Sequence, residues 1–167
     1  LEDKRLRKMY YALFLTAITG GLRLGELLGM RWQNLDWNSG KYNVKETWLR
    51  PREGRGASFG DPKRDASADS VDLSPICLNA LKEHQREQEA FIKGRKKAKM
   101  KFLDKTLVFS TSKGTPMNDR NVIRRVFEPA LKGARLRMMP FHSLRHTCAS
   151  LAIARGESPK YIQSQMR

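Results

Sequence analysis

The sequence predicts a single α+β domain, mostly α, in which helices pack around a small antiparallel sheet. Three observations lead to the fold class. Apolar residues recur at helical spacing through most of the chain, the stretch from Leu35 to Leu73 instead carries short β-type runs broken by turn residues, and no segment repeats another. With 167 residues, 40% of them hydrophobic, the chain can bury one continuous core.

From Leu6 to Thr19, Met9, Leu13 and Ala17 share one helical face, and Gly20-Gly21 supplies the stop. Leu24, Leu27 and Leu28 then form the apolar stripe of a short second helix, which leaves Arg23 and Glu26 off it. Leu35-Asp36-Trp37, the turn Asn38-Ser39-Gly40 and Lys41-Tyr42-Asn43-Val44 read as a hairpin. A strand ends near Trp48. The run from Arg50 to Ser70, rich in Gly, Pro, Asp, Ser and Arg, is expected to be a mobile, solvated loop or hairpin tip before a short strand at Val71-Asp72-Leu73.

Pro75 opens a helix that should reach about Ile92, with Leu78 and Leu81 on its buried side. A basic run from Lys93 to Lys101 leads to an expected strand from Thr106 to Ser110 and a turn at Ser112-Lys113-Gly114. Asn118-Asp119 cap a helix carrying Val122, Val126 and Phe127. A helix beginning around His142 runs through Ala154 to a stop at Gly156, and Ser158-Pro159 start one more.

Thirty-three Lys and Arg against 17 Asp and Glu leave a net charge of +16, which points to a polyanionic partner, nucleic acid first. A membrane surface falls behind, because the chain has no long apolar run, no signal-like start and no basic amphipathic stretch with a Trp or Phe face. Cys77 and Cys148 lack CxxC spacing, which suits a reducing, cytoplasmic setting.

Four places have residue types suited to chemistry. Arg23 stands at a helix start, where it either receives an anion or pairs with Glu26 three residues on. His142 and Arg145 share one helical face, so one can exchange a proton while the other holds a charge; a purely structural histidine is the alternative. His146 follows His142 at the spacing of helical metal pairs, but no further ligand matches and Cys148 points elsewhere, so no metal site is expected and His146 is read as a helix buttress or a hydrogen-bonding group within the domain. Lys63, between Pro62 and Arg64, is either solvated or carried into a cleft by a hairpin tip. Lys96 and Lys97, within the basic run, either form a solvated linker or touch phosphates. Among Tyr10, Tyr11, Tyr42 and Tyr161, none has a partner set that would make it a nucleophile.

Together these segments are more specific than any one alone. Gly21-Leu22-Arg23-Leu24-Gly25-Glu26-Leu27-Leu28-Gly29-Met30-Arg31-Trp32, with Leu35-Asp36-Trp37, resembles the first arginine motif of the tyrosine recombinases, the phage-integrase family. Pro140-Phe141-His142-Ser143-Leu144-Arg145-His146-Thr147-Cys148-Ala149-Ser150 resembles their His-x-x-Arg motif, about 120 residues later, and Ser158-Pro159-Lys160-Tyr161-Ile162-Gln163 is similar to the helix that follows it.

The resemblance implies site-specific DNA recombination by strand cleavage and rejoining through a 3′-phosphotyrosyl intermediate, with no cofactor or metal. It makes Arg23 the first catalytic arginine, His142 the catalytic histidine, Arg145 the second arginine and Lys63 the leaving-group lysine. Ala68 and Asp69 stand where the family carries basic residues, so Arg64 is an alternative for the lysine role, and Arg64, Lys96 and Lys97 are expected on DNA. The implied partner is double-stranded DNA, on which a tetramer assembles across paired sites.

The sequence opens on charged residues that run straight into a helix and stops at Gln165-Met166-Arg167 within a helical pattern. The expectation is therefore one catalytic domain over 1–167, incomplete at its carboxy end and without the family's later His or Trp and nucleophilic Tyr, and with no amino-terminal core-binding domain. The competing expectations are a type IB topoisomerase-like enzyme, a non-catalytic DNA-binding module of the same fold and a basic RNA-binding protein, the last of which leaves the paired motifs unexplained.

Overall fold

The computed structural model describes residues 3–49, 58–60 and 70–166. Its first helix, α1 (Lys4–Gly20), is capped by the Asp3 carboxylate, which accepts from the N–H groups of Arg5 and Leu6. It ends at Gly21, whose φ of +64° is open to glycine without strain. The longest helix, α3 (Pro75–Lys97), is capped by Ser74 and lies antiparallel along α1. Lys8 meets Glu87 at 3.0 Å near one end of this pair, and Thr16 meets Cys77 at 3.3 Å near the other. The basic run thus begins as the last turns of α3, five residues beyond the expected stop, because Phe91 and Ile92 still pack and lysines are favoured at a helix C-terminus.

Between these helices the expected hairpin forms. β1 (Leu35–Asp36) and β2 (Lys41–Asn43) pair antiparallel, and β5 (Ser70–Asp72) adds to the other edge of β2, so that Tyr42 faces Leu35 and Val71 with no exposed surface. A second ribbon joins β3 (Thr47–Leu49) to β4 (Ser58–Gly60), with the Trp48 and Phe59 rings 4.8 Å apart. Residues 58–60 are thus a strand within the run read as loop, because Phe59 has an aromatic partner across the ribbon. The short α2 (Leu24–Leu28) lies on this ribbon. A Cβ on Gly25 would sit 2.9 Å from the Trp48 carbonyl oxygen, and one on Gly29 3.0 Å from that of Glu46, so both positions need glycine for close backbone approach.

The expected strand from Thr106 to Ser110 is not one. Only isolated bridges occur there, Arg31 to Leu107 and Ser110 to Pro116, although Leu107, Val108 and Phe109 are fully buried. Buried carbonyls need donors, and α3 side chains supply them. His84 Nε2 meets the Val108 carbonyl at 2.7 Å, and Gln88 Nε2 donates to Leu107 O at 3.1 Å while its Oε1 accepts from Trp32 Nε1. Burial pushes the His84 imidazole down to about 4, so it is neutral and donates through Nε2.

The second half of the chain is helical. α4 (Asp119–Val122), capped by Asn118, continues through a π-helical turn at Ile123–Phe127 into α5 (Glu128–Gly133). Phe14, Phe127 and Phe141 cluster with ring centroids 5.1 to 6.3 Å apart, which anchors the approach to α6 (Ser143–Ala154) against α1. Gly156 ends α6 with φ +77°, and α7 (Pro159–Met166) follows. Gln165 on α7 exchanges two hydrogen bonds with the backbone of Asp72, so its amide acts as one more residue on the open edge of β5. Among the described residues no helix is long and apolar enough to cross a membrane, and no group of His, Cys, Asp and Glu is arranged to hold a metal.

Candidate phosphate-binding site

A helix leaves its last carbonyls without intrahelical partners, and those of α1 are met from α6. Arg145 Nη1 donates to the Gly21 carbonyl, 124 residues earlier in the chain, and one turn further Cys148 Sγ donates to Thr19 O at 3.3 Å. Arg145 is only 8% exposed, and its cation sits where the dipole of α1 ends negative. The two sequence motifs are therefore held together by one buried guanidinium.

Arg23 lies two residues past Gly21, at the start of α2 in extended backbone conformation. Its N–H donates to Glu26 Oε2 and its Nη1 to Glu26 Oε1, both at 2.8 Å. The pairing read as an alternative to anion binding is thus present, and it orients a guanidinium that remains half exposed. Glu26 corrects a simpler expectation: off the leucine stripe, it is nonetheless buried at 4% exposure while paired with Arg23. It belongs to the site as the group that fixes Arg23, and the Arg-x-x-Glu spacing was the available signal.

His142 precedes the first residue of α6 and is exposed. Its pKa is held below the ordinary histidine range, first by partial burial and then by the positive field of His146, Arg145 and Arg23. Both arginines act on the one imidazole, so Arg23, His142 and Arg145 share a single electropositive surface. His146, read as a helix buttress, is instead exposed and stands edge-on to His142 with ring centroids 4.9 Å apart, since an i, i+4 pair shares one helix face.

Lys63 and Arg64 lie outside the described residues; the flanking strands β4 and β5 are described. Lys96 and Lys97 are exposed on the last turn of α3, whose 23 residues at 1.5 Å each put them about 30 Å from its first turn, the end beside Gly21. Tyr42 is fully buried, Tyr10 and Tyr11 lie on α1, and Tyr161 faces the Asp72 carboxylate beside β5.

A cluster of two guanidinium groups and a neutral imidazole suits a phosphate oxyanion, which the arginines hold by paired, charge-assisted hydrogen bonds. The profile of the phage integrase family matches residues 1–167. The chain belongs to the phage integrase family. Over 170 residues it is 29% identical to a "Tyrosine recombinase XerC-like" protein of Caldanaerobacter subterraneus subsp. tengcongensis, covering 97% of this chain and 42% of the relative. Over 162 residues it is 32% identical to the prophage integrase IntR of Escherichia coli (strain K12), covering 90% of this chain and 38% of that protein. The chain thus spans about 40% of the length of these two curated relatives. Its fold is that of the Tn1549 transposon integrase solved with circular-intermediate DNA: the TM-score is 0.70 at 24% identity, over 99% of this chain and 52% of that one. This family member therefore combines a catalytic-domain fold with both motif segments, and the geometry above gives each motif residue its neighbours.

Proposed function

We propose that residues 1–167 form the phosphate-activating part of a site-specific recombinase that breaks and rejoins double-stranded DNA. The observation that carries the reading is the hydrogen bond from Arg145 to the Gly21 carbonyl, which brings the two arginine motifs onto one surface with His142. In the reaction, a phenol oxygen bonds to the scissile phosphorus and the 5′ oxygen leaves, conserving bond energy in a 3′-phosphotyrosyl link. Arg23 and Arg145 hold the non-bridging oxygens, whose negative charge grows in the transition state. His142, neutral in its positive field, accepts a proton at the phosphate or nucleophile. Lys63, with Arg64 as the alternative, gives a proton to the departing oxygen. Lys96 and Lys97 contact DNA phosphates away from the chemistry, and the assembled enzyme acts as a tetramer on paired sites within the cytoplasm.

Tyr42 is buried, Tyr10 and Tyr11 lie on α1 and Tyr161 is beside Asp72, and the reading assigns the nucleophile to none of these four tyrosines. The test is a nicked suicide substrate. The 167-residue chain alone should form no covalent adduct, whereas a polypeptide that joins it to the family's tyrosine-bearing segment should form one that Arg145→Ala abolishes. A substrate with a sulfur leaving group needs no proton donor; it should rescue Lys63→Ala and leave Arg64→Ala unimproved if Lys63 holds the role. An adduct mapped to Tyr161 would overturn the reading.

A further inference from the structure

One buried cation, among the described residues, has no carboxylate within ion-pair distance. Arg5, in the first turn of α1, is 8% exposed, and its Nε is fully buried without a hydrogen-bond partner. No described carboxylate lies within ion-pair distance of its guanidinium; Asp3, the nearest acid by its electrostatic effect, is engaged by the N–H groups of Arg5 and Leu6. What covers Arg5 is the ring of Phe91, 4.3 Å from the guanidinium carbon, and Arg95 approaches the same ring at 5.8 Å. Burial holds the Arg5 pKa below its ordinary value, yet an arginine keeps its charge in any protein setting. A buried, unpaired charge is among the least tolerated groups in a folded protein.

Arg5 lines a cavity of about 290 Å³ between α1 and the α4–π turn segment. That volume is at the lower edge of ligand pockets, right for a small group and too small for a large ligand. Its polar walls also include Tyr10, Ser110, Thr111, Ser112, Asn118, Asn121 and Arg125, and no acidic side chain among the described residues lines it. The Ser110 hydroxyl accepts from Gln88, which leaves its own proton to donate. Arg125 brings a second, exposed guanidinium from the π-helical turn. The wall therefore offers donors and positive charge to an occupant that must be an acceptor and negative.

We propose that this pocket is an oxyanion site that binds a phosphate group, with Arg5 as its buried anchor and Arg125 as its rim contact. It is distinct from the Arg23–His142–Arg145 cluster. The 16 residues from Arg5 to Gly21 run along α1 and separate the two by about 24 Å at helical rise. The site does not rest on the recombinase reading, because its evidence is a buried guanidinium nitrogen without a hydrogen-bond partner and a cavity rather than a motif. The phosphate belongs either to a nucleic-acid backbone or to a free phosphate ester, since both present the same oxygens.

Amide NMR of the full 167-residue chain distinguishes these outcomes. Inorganic phosphate should shift the amides of Ser110, Thr111 and Asn121 saturably, and should do so equally in Arg23→Ala, which disables the other cluster. The apparent affinity at those amides should fall by about tenfold in Arg5→Met and several-fold in Arg125→Ala, the loss expected for a charge-assisted hydrogen bond. Arg125 is on the surface, so its variant tests the site even if Arg5→Met fails to fold. A short duplex that moves the same amides and displaces phosphate assigns the site to a nucleic-acid backbone; a duplex that leaves them unmoved while phosphate shifts them assigns it to a phosphate ester. Pocket amides that respond to neither probe, or that respond identically in wild type and both variants, would overturn the proposal.

Discussion

Single residues carry the candidate chemistry unequally. Arg145 ties α6 to Gly21 and is the proposed second phosphate ligand, so Arg145→Ala should cost about 2 kcal/mol of stability, measured by denaturant titration, besides lowering cleavage in the tyrosine-bearing polypeptide about 100- to 1,000-fold. Glu26 separates the two roles. Glu26→Gln removes a negative charge beneath Arg23 while keeping a similar shape, so duplex affinity should hold or rise while cleavage falls about tenfold, a split that a purely structural glutamate would not give. At this scale Arg23, His142 and Arg145 were legible because two motifs name them. The pairing of Glu26 with Arg23 was legible as an alternative from its spacing, but its burial was not, because apolar periodicity ranks a carboxylate as outward-facing. His146 was misjudged for a related reason: helical spacing puts it beside His142 but does not say whether that face meets protein or solvent.

Among the elements, the helices were legible, with the Asn118 cap and the glycine stops at Gly21 and Gly156 but not the Asp3 and Ser74 caps or the π-helical turn, and so was the hairpin at Leu35 to Val44 with its turn. The segment from Thr106 to Ser110 was not, since its composition is that of a buried strand and only tertiary partners decide that its carbonyls go to His84 and Gln88. That arrangement has a pH signature. With its folded pKa near 4, below the ordinary value of 6.5, His84 binds a proton more readily when the chain is unfolded. Stability from this group is complete above about pH 6.5, declines as the pH falls toward 4, and at full penalty is lower by about 3 kcal/mol. Denaturant midpoints across that window should show the slope in wild type and lose most of it in His84→Gln. The contact of α2 with β3 makes another test: Gly25→Ala drives a methyl against the Trp48 carbonyl and should cost about 1–3 kcal/mol, seen as a lower melting temperature.

For the molecule as a whole, the charge of +16 means that duplex binding by residues 1–167 should be weak, poorly sequence-selective and steeply reduced by salt. If Lys96 and Lys97 each neutralise a phosphate, Lys96→Ala/Lys97→Ala should make the slope of log affinity against log salt shallower by about 2. An unchanged slope would remove both residues from the interface. Overall charge and family membership were legible from composition and motifs, whereas the distance between Lys97 and the arginine cluster required the length and direction of α3. The bond between Arg145 and Gly21 also has a meaning in time. A ribosome adds about 5–20 residues per second, so the 124 residues between these partners take roughly 6–25 seconds to make after α1 has emerged. Throughout that interval the growing chain carries much of its basic charge and can cling to nucleic acid, while Arg23 and Arg145 are still apart. On the proposed reading, such a chain can touch DNA before its two arginine motifs have met.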